Sequence, residues 1–124
     1  MMYDVPNFDF VLAKLKHVDW RIRLLAFLEG EETLSEEEAF SPYCCELGNW
    51  IYAEGLKKYT SLQEMQDLEK LHQELHKLAH EVVSLKNNNK QPEAQEKYEL
   101  MKSTSELLLE VMDSLDIKIK LQKI

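Results

Sequence analysis

The sequence predicts an all-α protein: a four-helix-type bundle with one additional short helix carrying a cysteine motif. Three observations predict it. Only three glycines and three prolines interrupt 124 residues, too few breakers for a many-turned β fold. Long stretches carry apolar residues at spacings of three, four and seven, the period of a helix face. Hydrophobic residues (44%) and charged residues (31%) stand in the balance of a globular chain, not a disordered one. A chain of this length holds one core and not two, so residues 1–124 are read as a single domain.

The elements follow in order. Asn7 can cap a first helix running to about Glu29, with Gly30 closing it. Its apolar residues form two stripes: Phe8, Leu12, Leu15, Val18, Ile22 and Leu25, and Phe10, Ala13, His17, Trp20, Leu24 and Phe27. A helix so widely apolar is expected in the middle of a bundle. An acidic linker leads from Gly30 to Phe40. Pro42 can open the short helix bearing Cys44 and Cys45, and Gly55 can close it. Ser61 and Glu64 read as a capping box for a long helix through Leu62, Met65, Leu68, Leu71, Leu75, Leu78, Val82 and Leu85. "KNNNK" breaks that helix. Pro92 suits the first turn of a last helix from Gln91 to about Asp116, with Tyr98, Met101, Leu108, Met112 and Leu115 on its apolar face. The tail "DIKIKLQKI" alternates at period two, so the helical reading stops before it.

A net charge of −8 with no basic stripe argues against nucleic acid as a partner. The acidic runs between Glu29 and Glu38 read as a solvated loop. No apolar run approaches the ~18 residues of a membrane span, and the N-terminus lacks the basic and apolar regions of a signal peptide. The expected location is the cytoplasm. There two cysteines serve as thiols, ligands or redox sensors, and a disulfide between adjacent Cys44 and Cys45 would be strained.

The chemistry concentrates in "LHQELHKLAH", where His72, His76 and His80 recur every four residues and share one helix face. Each residue has an ordinary reading: His80 as a surface side chain, His17 as a core imidazole bonded to a carbonyl or carboxylate, the cysteines as small buried hydrophobes. Together they read differently. One His on the first helix, a His pair on the long helix and a Cys on the short helix supply four N/S ligands, the number zinc takes in a closed tetrahedral site. A zinc-protease reading fails because Gln73 stands where that motif needs Glu. A di-iron carboxylate bundle fails because Glu69 to His72 is the one Glu-x-x-His pattern that could serve, and such a bundle needs a second. Phosphate-loop, nucleophile-elbow and nucleotide fingerprints are absent.

Three segments, in order, resemble the chemoreceptor zinc-binding domain family, a bacterial regulatory module. "HVDWR" is similar to its His-x-x-Trp-Lys segment, with Arg21 where lysine is usual. "CELGNWIY" resembles its Cys-x-Leu-Gly-x-Trp-Tyr segment, with Ile51 inserted between Trp50 and Tyr52. "HQELH" resembles its His-x-x-Val-His segment, with Leu75 in the valine position. The resemblance runs from about Asp9 to Leu115. It implies zinc ligands His17, Cys45, His72 and His76, leaves His80 outside the pattern, and implies a helical homodimer. Cys44 is then a bystander or a second thiol able to react with oxidised Cys45.

The function expected is a zinc-binding regulatory or sensory domain in bacterial signalling, without catalytic activity. Zinc availability is one input and oxidation of Cys45 a second. The resemblance implies both, since related domains are described as sensors of zinc and of oxidants such as hypochlorous acid. The alternatives are a dimeric interaction module with a purely structural zinc, or a three-His metal enzyme. The family's signalling coiled coil and cyclase are absent, so the chain either works alone, passing its state to another protein, or is a fragment; the opening Met1-Met2 favours the first.

Overall fold

A computed structural model of the chain describes residues 8–31 and 47–122, and every regular element among them is helical. Helix α1 is Phe10–Leu28. The described part of α2 covers 47–59, with a π-helical turn at Ile51–Gly55 and a last α-helical turn at Leu56–Tyr59. Helix α3 is Gln63–Asn87 and α4 is Gln91–Gln122. The all-α expectation therefore holds, with three long helices and one short one. Cys44, Cys45 and Pro42, expected on the short helix, lie outside the described residues.

The helix ends explain where the chain turns. Asp9 is the N-cap of α1, its carboxylate accepting from the Leu12 N–H at 3.0 Å; Asn7, expected in that role, lies outside the described residues. At the other end, Gly30 adopts φ +84°. Glu31 N–H then reaches Ala26 O at 2.8 Å and Gly30 N–H reaches Phe27 O at 3.0 Å, the paired bonds of a Schellman cap. The end of α3 repeats the device with Asn89 at φ 60°: Lys90 N–H bonds Leu85 O at 2.9 Å and Asn89 N–H bonds Lys86 O at 3.1 Å. "KNNNK" breaks the helix because Asn tolerates this left-handed conformation.

Three expectations about element ends are corrected. Gly55 does not close α2; its backbone is helical and the helix continues to Tyr59. The capping box at Ser61 does not form. Helix α3 starts one residue later, with Leu62 at the cap, and Glu64 turns instead to Lys118 and Ser114 of α4. The tail stays helical through Gln122, because Ile119 continues the buried face of α4 while Ile117 and Leu121 face outward.

Helices α3 and α4 form an antiparallel hairpin, tied by Lys97–Glu81 at 3.0 Å near the turn and by Lys118–Glu64 at the far end. Helix α1 runs antiparallel to α4: Gln91 Nε2–H donates to Leu28 O at 3.0 Å, and Lys14 pairs with Asp113. The core between them comprises Leu24, Leu28, Met65, Leu68, Leu75, Val82, Met101, Leu108, Met112 and Leu115, all essentially inaccessible. The expectation that α1 lies in the middle of the bundle is corrected. Its Phe10–Phe27 stripe is buried, but Val11, Leu15 and Ile22 are about 60% exposed, because among the described residues its long neighbours, α3 and α4, lie on one side only.

Leu107 and Leu108 are adjacent but face opposite ways, at 52% and 0% exposure. Leu108→Ala is expected to lower the stability of the metal-free chain by about 2–5 kcal/mol, and Leu107→Ala by less than about 0.5 kcal/mol. Urea unfolding monitored by circular dichroism measures both, and equal losses would contradict this packing.

Candidate metal centre

The antiparallel register brings the middle of α1, the middle of α3 and the middle of α4 to one level. At that level lie all three buried polar or charged side chains found among the described residues: His17, His72 and Ser105. A buried polar group needs a partner, and each has one. The His17 Nε2 and Ser105 Oγ atoms are 2.6 Å apart, and Arg21 Nη1 donates to the same hydroxyl oxygen at 3.1 Å. His72 and His76, one turn apart on α3, have their Nε2 atoms 3.1 Å apart and their rings edge to face. Trp20 bridges the two groups, with ring centroids 5.6 Å from His17 and 6.1 Å from His76.

Both assemblies favour neutral imidazoles. Burial pushes His17 down to about 4, helped by the positive charge of Arg21 and by the neighbouring His72 and His76. Burial, then His72, pushes His76 down to about 4 as well. A neutral imidazole keeps a nitrogen lone pair for a metal.

Helix α2 meets this layer edge-on. Gly48 is buried against His72: a Cβ there would stand 2.9 Å from His72 Cε1. The glycine thus permits backbone to approach the imidazole ring. Beyond it, Trp50 stacks on Phe8 at 4.8 Å and meets Phe10 edge-on at 5.3 Å, pinning α2 to the start of α1. Tyr52 Oη accepts from Gln73 Nε2 at 2.9 Å, so the residue that breaks the zinc-protease pattern serves to join α2 to α3. Between these contacts the Leu56 N–H reaches back to Ile51 O, a bond spanning five residues. An extra residue in a helix is absorbed by such a widened turn, and the turn begins at Ile51, the residue inserted relative to the family segment quoted above.

The fit to zinc can be tested on these distances. Two nitrogens each ~2.0–2.1 Å from a tetrahedral ion stand roughly 3.3 Å apart, close to the 3.1 Å between His72 and His76 Nε2. That pair fits. His17 lies at the same level but its Nε2 is turned to Ser105. Cys45 lies outside the described residues, and among those described no three His, Cys, Asp or Glu side chains are grouped closely enough to hold an ion by themselves. His80 is partly buried one turn beyond His76.

Sequence reasoning missed Ser105 and the contact Arg21 makes with it. The signal was present. The apolar face of α4 steps by three or four residues except between Met101 and Leu108, a gap of seven whose inward position is Ser105.

A family sequence model described as the chemoreceptor zinc-binding domain matches residues 17–83, from His17 through α2 and most of α3. No curated protein and no solved structure matches the chain.

His17 and His76 have folded-state values below the 6.5 of an unperturbed imidazole. Below about pH 6.5 the unfolded chain binds protons that the folded chain refuses, so their contribution to stability is complete above that value and is lost as pH falls through about 4. The urea midpoint of chelator-treated protein is expected to fall between about pH 6.5 and about pH 4, and to fall less in His76→Gln. A wild-type midpoint that stays level across that window contradicts the burial of neutral rings.

Proposed function

The chain belongs to the chemoreceptor zinc-binding domain family, a zinc-binding signalling domain, and we propose that it holds one zinc ion through His17, Cys45, His72 and His76. The observation that carries the reading is the convergence of two imidazoles, His72 and His76, at the separation zinc ligands require, with burial favouring the neutral form of His76. His17 at the same level and the glycine-permitted approach of α2 three residues beyond Cys45 support the other two. When bound, zinc supplies a charge that offsets the burial of these groups and joins α1, α2 and α3. Four protein ligands leave no open position for an activated water, so the role is regulatory and not catalytic.

Two inputs fit such a site. Zinc occupancy is one, since the imidazoles must be neutral and Cys45 a thiolate for binding. Oxidation is the other. Attack of the Cys45 thiolate on hypochlorous acid forms an S–O bond, giving a sulfenic acid and releasing chloride, and removes the anionic ligand from the ion. Both inputs act in a reducing cytoplasm, with the output passed to a partner protein. Among the described residues no helix is long and apolar enough to cross a membrane. A homodimer is the proposed assembly, supported by the outward apolar stripe of Val11, Leu15 and Ile22 on α1.

Native mass spectrometry of gently purified chain tests the assembly and the ligands together. A dimer with one zinc per chain is expected, with zinc lost or weakened in Cys45→Ser. A three-His enzyme site would keep full zinc affinity in that variant. Stoichiometric hypochlorous acid is expected to release zinc from the wild type, read with a chromogenic chelator. Retention of zinc after Cys45 is oxidised would remove the redox input.

A further inference from the structure

Ser105 lies on α4, outside the residues that the family match spans, and it is fully buried. A lone hydroxyl on an otherwise apolar helix face costs stability unless it is bonded, and this one is bonded twice, to His17 and to Arg21. Resting on the assignment of His17 as a zinc ligand, we infer that Ser105, oriented by Arg21, is a positioning residue for the metal site: its oxygen accepts the His17 Nε2–H and leaves His17 Nδ1 as the ligating nitrogen.

The chemistry of the donors selects this arrangement. A guanidinium has donors only, so Arg21 occupies one lone pair of Ser105 Oγ. The second lone pair can take the His17 Nε2–H. The hydroxyl proton is then left for the α4 backbone, the kind of bond that neighbouring Thr104 makes to Leu100 O at 3.1 Å. In the opposite tautomer Ser105 donates to Nε2 and the ring carries its proton on Nδ1. Neither nitrogen then offers a lone pair to a metal. With the 2.6 Å contact kept, one tautomer alone is competent to ligate. Ligating histidines commonly give their second N–H to an acceptor behind them, which fixes the tautomer and the ring.

The inference also draws α4 into the site. Helices α1 and α3 would carry ligands, whereas α4 would hold one of those ligands in place. The register between α1 and α4 at Ser105 would then be linked to zinc occupancy.

The test uses the full chain loaded with zinc. Long-range proton–nitrogen correlation spectra of histidine-labelled protein read which His17 nitrogen carries hydrogen, and Nε2–H with metal on Nδ1 is expected. Zinc affinity, measured by competition with a chromogenic chelator, is expected to fall about ten- to a hundredfold in Ser105→Ala. Ligation of His17 through Nε2 overturns the inference, and this reading needs no variant to fold. Wild-type affinity in Ser105→Ala, with binding still lost in His17→Ala, overturns it while leaving His17 a ligand. A wild-type chain that takes up no zinc overturns the ligand assignment and this inference with it.

Discussion

Imidazoles buried between helices place a demand that apolar packing does not. Once stripped of water, each ring must be partnered by the protein around it, or it costs more than the burial returns. His17, His72 and Ser105 occupy one layer of a bundle that is otherwise filled by Leu, Met, Val and aromatic side chains. The register of α1 on α4 is tied to that layer, since a shift of one turn would set His17 against an apolar residue. Stability alone does not account for it. Apolar residues of similar shape commonly pack at no loss where buried polar groups stand. Imidazoles brought together at one level are what a zinc centre can use, and the family to which the chain belongs is a zinc-binding one.

Helix α2 is shaped by the same requirement. Its inner face consists of Leu47, Gly48, Ile51 and Gly55, two of them glycines where added atoms would collide. Gly48 faces His72. A Cβ at Gly55 would stand 2.9 Å from the end of Met65 and 3.0 Å from Trp50. The π-helical turn runs from Ile51 to the second of these glycines and keeps both on the inner side despite the additional residue. Aromatic contacts of Trp50 with Phe8 and Phe10 then fix the approach of α2 to α1.

Much of this was legible in the sequence because helical period and imidazole spacing are local signals. The face of α3 and the pairing of His72 with His76 follow from residues three and four apart, and the face of α4 was read as far as Leu115. The family resemblance, read from three short segments, was also correct. What escaped depends on tertiary context. The period-two tail gave a strand-like signal, but Ile119 is drawn into the core and keeps the last turns of α4 helical. Ser61 and Glu64 had the spacing of a cap, yet Lys118 and Ser114 from another helix claimed the Glu64 carboxylate. The breadth of apolar residues on α1 predicts a place in the middle of the bundle, whereas among the described residues Val11, Leu15 and Ile22 face outward. Ser105 left an indirect signal, the gap of seven between Met101 and Leu108, but its role depends on His17 and Arg21 of another helix, which no local pattern names.

The placement of the proposed ligands bears on how a signal leaves the site. Helices α1, α3 and α4 share an extended apolar core, bound further by Gln91 to Leu28 and by ion pairs at both ends of the hairpin. The described part of α2 is shorter and, among the described residues, rests on Leu47, Ile51, an aromatic cluster and the Tyr52–Gln73 bond. Elements with few buried contacts open at lower cost than the core that they rest on. If Cys45 were to leave the ion, the proposed tie through the metal would be lost while the three-helix core keeps its own. The proposed ligand set would put the oxidisable group two residues before the described part of α2, so that a chemical change in one side chain would become a change in the docking of one helix.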